Sequence, residues 1–387
     1  MSITTQVKTL EIDPNSLYKT QKVKFTSDKS ILTPTKTIPL DKFRVASPLN
    51  NDAKQLNEVF KRFSAKQIKD ADEDAGKYKE IESFFNSQKS KIKPETATFC
   101  ILDFNELRIP TDDEIEFLTD LAYCNSDITT IPTLSKFSDS KNSPISYPEY
   151  KKYLEKAIES IQLLNHKPIM GVIPKLARKN VPDLLTFYES KGINSFALDL
   201  EGSNPISSRM SIFKVLKTLN KMEILDSSYI HGHNVGMRVN KAIEVIPAKD
   251  VLGFGVGLNS IGEKRTEFKL NPAFLSLIKT NPLNKFRLFN KKDYGYWKAI
   301  SASELEKVYP ADSSVPISVF KSAIKNSSQY SYIQKVFNAE QMALESHKVK
   351  KVISEDAEKT LDYIKKKKFI VPDDVKVLES GQKQITI

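Results

Sequence analysis

The stretch INSFALDLEGSNPISSRMSIFKVLKTLNKMEILDSSYIHGHN, residues 193–234, decides the fold. INSFALDL (193–200) and SSYIHGHN (227–234) have strand length, and SSRMSIFKVLKTLNKM (207–222) between them reads as a helix. The strands are apolar runs rather than alternations, which is how parallel strands covered on both faces look. The same unit repeats outward. Upstream, ATFCILDF (97–104), DITTIPTL (127–134) and KPIMGVIP (167–174) read as strands. TDDEIEFLTDLAYC (111–124), SYPEYKKYLEKAIESIQLLN (146–165) and VPDLLTFYESKG (181–192) read as the helices between them. Thr111 is placed to cap its helix, the acidic residues after it suit the positive helix end, and Gly192 closes the third helix. Downstream, RVNKAIEVIP (238–247) reads as a helix and DVLGFGVGL (250–258) as a strand.

Strand and helix therefore alternate at least five times. No glycine-rich phosphate turn follows the first strand, which favours a closed ring over an open doubly wound sheet. The expectation is an α/β fold: a (β/α)8 TIM-type barrel with an N-terminal β lead-in and a helical C-terminal appendage. The boundaries read as a β-rich lead-in at 1–45, a helical insertion at 46–95 and the barrel core at 96–265. A basic and aromatic segment with C-terminal helices follows at 266–370, then a short strand or tail at 371–387. Within the insertion, the charged run from Asp52 to Ser87 reads as one or two surface helices anchored by Phe60, Phe63, Ile81 and Phe84.

The chain has 387 residues, and its 59 Lys and Arg against 48 Asp and Glu leave a net charge of +11. That excess suits a polyanionic partner such as nucleic acid, and a lysine-rich surface without a partner gives the same sum. No apolar run approaches the roughly 18–20 residues of a membrane span, so no membrane partner is expected. The opening residues lack the order of a signal peptide. Cys100 and Cys124 are the only cysteines, which excludes a disulfide framework and a multi-thiolate zinc site and makes a reducing cytoplasm the default.

Polar residues and glycines gather at the C-terminal ends of the strands, the end where barrels build their sites. His231 and His233 are one residue apart on one strand, so both imidazoles point the same way. Asp199 and Glu201 have the same relation on the preceding strand and are the best acid–base candidates, with Asp103 a third; helix capping is their structural alternative. No cofactor is expected. The alternative is a divalent metal at His231 and His233, with Asp199 or Glu201 completing the set. GFGVGLNSIG (253–262) is spaced too loosely for a nucleotide fingerprint and reads as a close-packed turn or a phosphate cradle. Lys175, Arg178, Lys179, Arg287, Lys291, Lys292 and Trp297, with the run Lys365 to Lys368, are placed to contact phosphates and stack on bases.

The order of segments resembles the tRNA-guanine transglycosylase superfamily, enzymes that exchange a guanine in nucleic acid for a 7-deazaguanine. VKFTSDKSILTPTKTIP (23–39) is similar to the family's opening hairpin, and IPTDDEIEFLTDLAYCNSDITTIPT (109–133) to its helix leading into a Ser-Asp-Ile strand. KPIMGVIP, GINSFALDLEG (192–202) and YIHGHNVGMRVNKAIEVIPAKDVLGFGVGL (229–258) resemble successive later strands, and RLFNKKDYGYWKAI (287–300) a late basic segment. The resemblance implies a barrel acting on tRNA or DNA, working as a homodimer or as a heterodimer with an active homologue. It implies base contacts from His231, His233, Asn234, Gly255 and Gly257. It also sets departures: the nucleophile's position falls on Gly253, the base-recognising acid on Thr133 and a pocket glutamine on Pro174. Asp103 is the nearest substitute for the family's other acid, and the family's zinc has no ligand set. The expectation is a divergent or non-catalytic member. The rival is an unrelated, metal-dependent barrel hydrolase built on His231, His233, Asp199 and Glu201.

Overall fold

The computed structural model describes residues 4–44, 47–140, 143–164, 166–237, 244–265, 287–298, 301–323 and 326–386. At its centre is a ring of parallel strands. β4 (Thr35–Lys36) and β5 (Ile38–Pro39) are two halves of one strand around Thr37. β6 (Leu56–Phe63), β7 (Ala97–Phe104), β8 (Ile128–Thr130), β10 (Ile169–Ile173), β11 (Ser195–Asp199), β12 (Tyr229–His233) and β14 (Ser260–Ile261) follow in order around the ring, with β9 (Thr133–Leu134) beside the end of β7. The ring closes on the first strand: Ser260 and Ile261 pair with Thr35 and Lys36, while Ile38 and Pro39 pair with Asn57 and Glu58. Eight strand positions result, the number at which side chains just fill the interior. All eight residues of β7 are buried, as a strand covered on both faces requires.

Helices α1 (Ala65–Glu73), α2 (Ala75–Lys89), α3 (Asp112–Cys124), α4 (Tyr147–Leu164), α5 (Asn180–Ser190) and α6 (Arg209–Lys221) form the outer layer between β6 and β12. Side-chain caps start two of them, α3 at the expected Thr111. Thr111 and Glu114 make a reciprocal capping box at α3, and Ser64 and Gln67 make one at α1.

The lead-in is a separate antiparallel sheet of β1 (Gln6–Ile12), β2 (Lys19–Lys24) and β3 (Ser30–Thr33). It covers the end of the barrel where strands begin: Asn194 donates to the Thr5 carbonyl, Gln21 to the Asp226 carbonyl, and Asn259 to Gln21. Among the described residues, the opposite end is left open. A second antiparallel sheet, β13 (Val245–Pro247), β16 (Gly295–Trp297) and β15 (Leu288–Asn290), lies apart from the ring. α7 (Ala302–Val308), α8 (Ile317–Ala323), the long α9 (Ser327–Glu355), α10 (Thr360–Lys365) and α11 (Pro372–Thr386) complete the chain, with α9 against β4 and β15 and α11 against α6.

Four expectations are corrected. The barrel begins at Thr35 rather than near residue 96, because the supposed insertion contains barrel strand β6. Two of its inward residues, Glu58 and Arg62, are charged, which hid it. DVLGFGVGL is not a strand: Val251–Val256 is a tight 3-10 turn with Gly257 in the left-handed region at φ 97, and the last barrel strand is the two-residue β14 that follows. Its glycines pack rather than extend. The tail is helix α11, which has acidic Asp373 and Asp374 in its first turn and buries Leu378 completely. In the segment read as the helix 238–247, residues 245–247 are strand β13, and 238–243 lie outside the described residues.

Candidate active site

Period-two alternation on β6 sends Glu58, Phe60 and Arg62 inward at rising heights, and the same rule on β12 sends in His231 and His233. β11 brings Asp199 into register beside His233, β7 brings Asp103 beside Thr133, and the segment after β14 brings Arg265. Phe60, Arg62, Asp103, Thr133, Asp199, His233 and Arg265 border a cavity of about 440 Å³ at the open end of the barrel, while Glu58 and His231 are buried and do not border it.

Its floor is an ion cluster with almost no exposure. Arg265 donates to Glu58 Oε1 from Nε at 2.9 Å and from Nη2 at 2.7 Å, and to both oxygens of Asp41 at 2.6 and 3.0 Å. Thr37 donates to the other Glu58 oxygen at 3.0 Å. Burial alone would push the Glu58 carboxyl up, but Arg265 and His231 more than reverse this and hold it well below the usual range. Arg265 is likewise disfavoured by burial yet held firmly charged by Glu58 and Asp41. His231 is pulled down by burial against the opposing pull of Glu58. Its Nδ1 meets Ser260 Oγ at 2.8 Å, and Ser260 meets the Tyr229 hydroxyl at 2.5 Å. Glu58, His231 and His233 each offer a donor atom within 4.8 Å of the other two, the set among the described residues that could hold a metal.

The upper wall holds the expected acids in different states. Asp103 is 1% exposed, and both oxygens are occupied: Thr133 Oγ1 and the Ser135 amide donate to one at 3.1 and 3.0 Å, and Arg62 Nε to the other at 2.7 Å. It reaches the mouth but serves as an anchor there, which corrects its catalytic reading. Asp199 differs. Its Oδ1 accepts from the Glu201 amide at 2.7 Å and Asn234 Nδ2 at 3.1 Å, while Oδ2 accepts from none of the described residues. Asn234 also takes the Arg265 amide at 2.8 Å, tying the Asp199 wall to the floor. Glu201 leans to the rim and pairs with Lys175 at 3.0 Å. Glu201 and Asn234 hold φ of 50° and 53°, left-handed values that cost a non-glycine residue about 1–2 kcal/mol. The loops carrying them touch so closely that a Cβ on Gly236 would stand 1.9 Å from the Gly202 carbonyl oxygen.

The structure thus gathers Asp103, Asp199, Glu201, His233, Asn234 and Lys175 around the mouth, with His231 beneath them. Thr133 and Pro174 also border the cavity. It does not bring Gly255 or Gly257 there. Both lie in the turn before β14, where Gly255 packs against Tyr18 and Leu378 and Gly257 against Leu216, so their substrate-binding reading is corrected. Gly253 packs on the Ile261 side chain, and Asp250 accepts from the Tyr296 hydroxyl at 2.6 Å, so neither stands at the mouth. The carboxylate meeting the two histidines is Glu58, not Asp199 or Glu201.

The basic residues divide. Arg178 borders a neighbouring cavity of about 190 Å³ with Lys175 and Lys214, and Lys179 is exposed just before α5. Arg287, Lys291, Lys292 and Trp297 belong to the β13–β16–β15 sheet and border neither cavity. Arg287 is 2% exposed, Lys291 pairs with Asp312, and Trp297 donates to Asp293 at 3.0 Å, so the first and last are structural; Lys292 alone of the four is exposed. Sequence reasoning missed Glu58, Arg62, Asp41 and Arg265. The signal was present in LNEVFKRF (56–63), where Glu, Phe and Arg fall at alternate positions, followed by the Ser64 capping box that marks a strand giving way to a helix.

No helix among the described residues is long and apolar enough to cross a membrane. No protein-family model matches the chain, and no curated protein does. Among solved structures, the chain is similar to the carboxyl transferase domain of Rhizobium etli pyruvate carboxylase with 3-hydroxypyruvate, at 11% identity over 91% of this chain and 59% of that one, TM-score 0.37. It is also similar to a glucosidase from Croceicoccus marinus, at 9% identity over 69% of this chain and 64% of that one, TM-score 0.36. The chain spans less than two thirds of the length of either, and likeness this distant carries nothing about its chemistry.

Proposed function

We propose that this protein is a hydrolase working in the barrel mouth on a polar substrate that carries an anionic group, with Asp199 as the general base. One observation carries the reading: Asp199 is oriented by two donors on Oδ1 and keeps Oδ2 available at the cavity, beside His233. A fixed carboxylate with a free oxygen can take a proton from water. Lys136 and Lys175 border the same cavity and offer cationic contacts to an anionic substrate. Asp103 and Arg62 hold the facing wall in shape. The test is a panel of chromogenic phosphomonoester, phosphodiester, carboxylic ester and amide substrates, run with the wild type and Asp199→Asn. Turnover of one class, lost by about 100-fold or more in the variant, is expected. Turnover indifferent to the substitution, or none with any class, overturns the reading.

A second reading keeps the resemblance to tRNA-guanine transglycosylases, as a nucleic-acid-binding member or a partner subunit of an active homologue. It is favoured by the basic rim of the two adjoining cavities, Lys136, Lys175, Arg178 and Lys214. Against catalysis of that kind, the last strand consists of Ser260 and Ile261, with no carboxylate turned into the mouth from β14 itself.

A further inference from the structure

Two buried imidazole nitrogens at the floor of the mouth have no hydrogen-bond partner among the described residues: His231 Nε2 and His233 Nδ1. Their residues are 0% and 3% exposed. Buried polar atoms are nearly always paired, so two orphaned nitrogens on imidazoles that group with the Glu58 carboxylate ask what the three side chains would hold. The separation of His231 Nε2 from Glu58 Oε2 is 3.6 Å, too long for a hydrogen bond. It is close to the edge of a tetrahedron: two ligands bound at about 2.1 Å to one ion stand about 3.4 Å apart.

We propose that Glu58, His231 and His233 bind one divalent transition-metal ion, with zinc the best match to a set of two imidazoles and a carboxylate. The surroundings are those of a supported site. Ser260, itself held by Tyr229, fixes His231 through Nδ1 and leaves Nε2 aimed at Glu58. Arg265 and Thr37 orient the carboxylate, and Arg265's charge is balanced by Asp41 as well as Glu58. Gly262 keeps the gap open, since a Cβ there would lie 2.5 Å from Glu58 Oε2 and 3.0 Å from His231 Nε2. His233 borders the cavity, so a fourth position faces substrate, the arrangement of catalytic rather than structural zinc.

This deepens the hydrolase reading and rests on it for its chemistry. Bound there, the ion would lower the pKa of water, and Asp199 would take that water's proton as it adds to the substrate's electrophilic centre and return it to the departing group. Register pairing with His233 puts Asp199 on the strand next to the one that carries both imidazoles.

The test uses the full-length protein stripped with a chelator and titrated with cobalt(II). Uptake of one ion per chain is expected, with the visible absorption of a low-coordinate cobalt site that zinc abolishes. His231→Ala and His233→Ala are expected to remove it. Gly262→Ala keeps every ligand but closes the gap, and is expected to weaken binding about 10- to 100-fold, in the range of losses seen on disturbing a metal's supporting shell. Absence of uptake by the wild type, or uptake unchanged in both histidine variants, overturns the site. Uptake without turnover of any substrate upholds the ion and removes the hydrolase; undiminished turnover by stripped protein upholds Asp199 and removes the ion.

Discussion

Arg265 and Glu58 are joined by two N–H donors on one carboxylate oxygen at 2.9 and 2.7 Å, and neither side chain is more than 3% exposed. The pair spans the barrel from the second strand to the segment after the last. Breaking it from one side strands a buried charge, so Arg265→Met is expected to destabilise the fold by about 3–5 kcal/mol. Adding Glu58→Gln to that variant should recover part of the loss, because the carboxylate then needs no counter-charge. Urea denaturation of the single and double variants checks both. A single variant as stable as the wild type would show that the pair adds nothing.

Gly255 discriminates between packing and ligand contact. A methyl group there would stand 2.5 Å from the Tyr18 ring and 2.7 Å from Leu378. Gly255→Ala is therefore expected to cost about 1–3 kcal/mol by overpacking while leaving ligand affinity at the mouth unchanged. Thermal melts and binding measured on the same preparation separate the two effects. Weakened binding at full stability would return Gly255 to the site.

Asp250 gives the fold a pH dependence of definite sign. Burial lifts its carboxyl to about 6 from an ordinary 3.8, despite the donors Tyr296 and Val251. Between those values the folded protein keeps a proton that the unfolded chain has released. The stability from this group is thus complete below the lower value and lost as pH rises through the upper one. Asp250→Asn should flatten that slope, a change on the order of 2–3 kcal/mol across the window. Denaturation midpoints of wild type and variant at pH 4, 5, 6 and 7 measure it, and parallel curves would contradict it.

Nucleic-acid binding, if it occurs, should depend on the rim. Neutralising Lys136 and Lys175 is expected to weaken binding of a labelled tRNA or duplex and to reduce the salt slope by about one for each phosphate no longer neutralised. Substituting Trp297 should act on stability instead, since its indole is committed to Asp293 and packs edge-on against Phe369. Anisotropy titrations at several salt concentrations decide; no binding at the lowest salt would end the second reading.

What the sequence disclosed follows a physical division. Strands β7, β8, β10, β11 and β12 were legible as short, largely apolar runs set between helices, and α3 because Thr111 and its acidic first turn announce it. The histidine pair was legible from spacing alone. β6 was not, because the residues it sends into the barrel are Glu58, Phe60 and Arg62, and a strand that carries polar chemistry inward looks like a solvated helix. The third member of the buried cluster was therefore sought on β11, the neighbour in sequence, when it lies across the ring. Arg265 was invisible for the same reason: its partners Asp41 and Glu58 are more than 200 residues away, at separations of 224 and 207. α11 was misread because no interior face is evident until α6 is placed against it.

The two halves of the first barrel strand carry a consequence for how the molecule comes together. Thr35 and Lys36 emerge early in synthesis but have no neighbour on that side until Ser260 and Ile261 arrive, more than two hundred residues later. Until then a nascent chain presents a sheet with two bare margins, each able to recruit a strand from another molecule. A join of such long range is slow to find. Damage near residue 260 should therefore show itself as aggregation during refolding, with β4 and β12 each satisfied by a foreign edge, more than as a small loss of equilibrium stability.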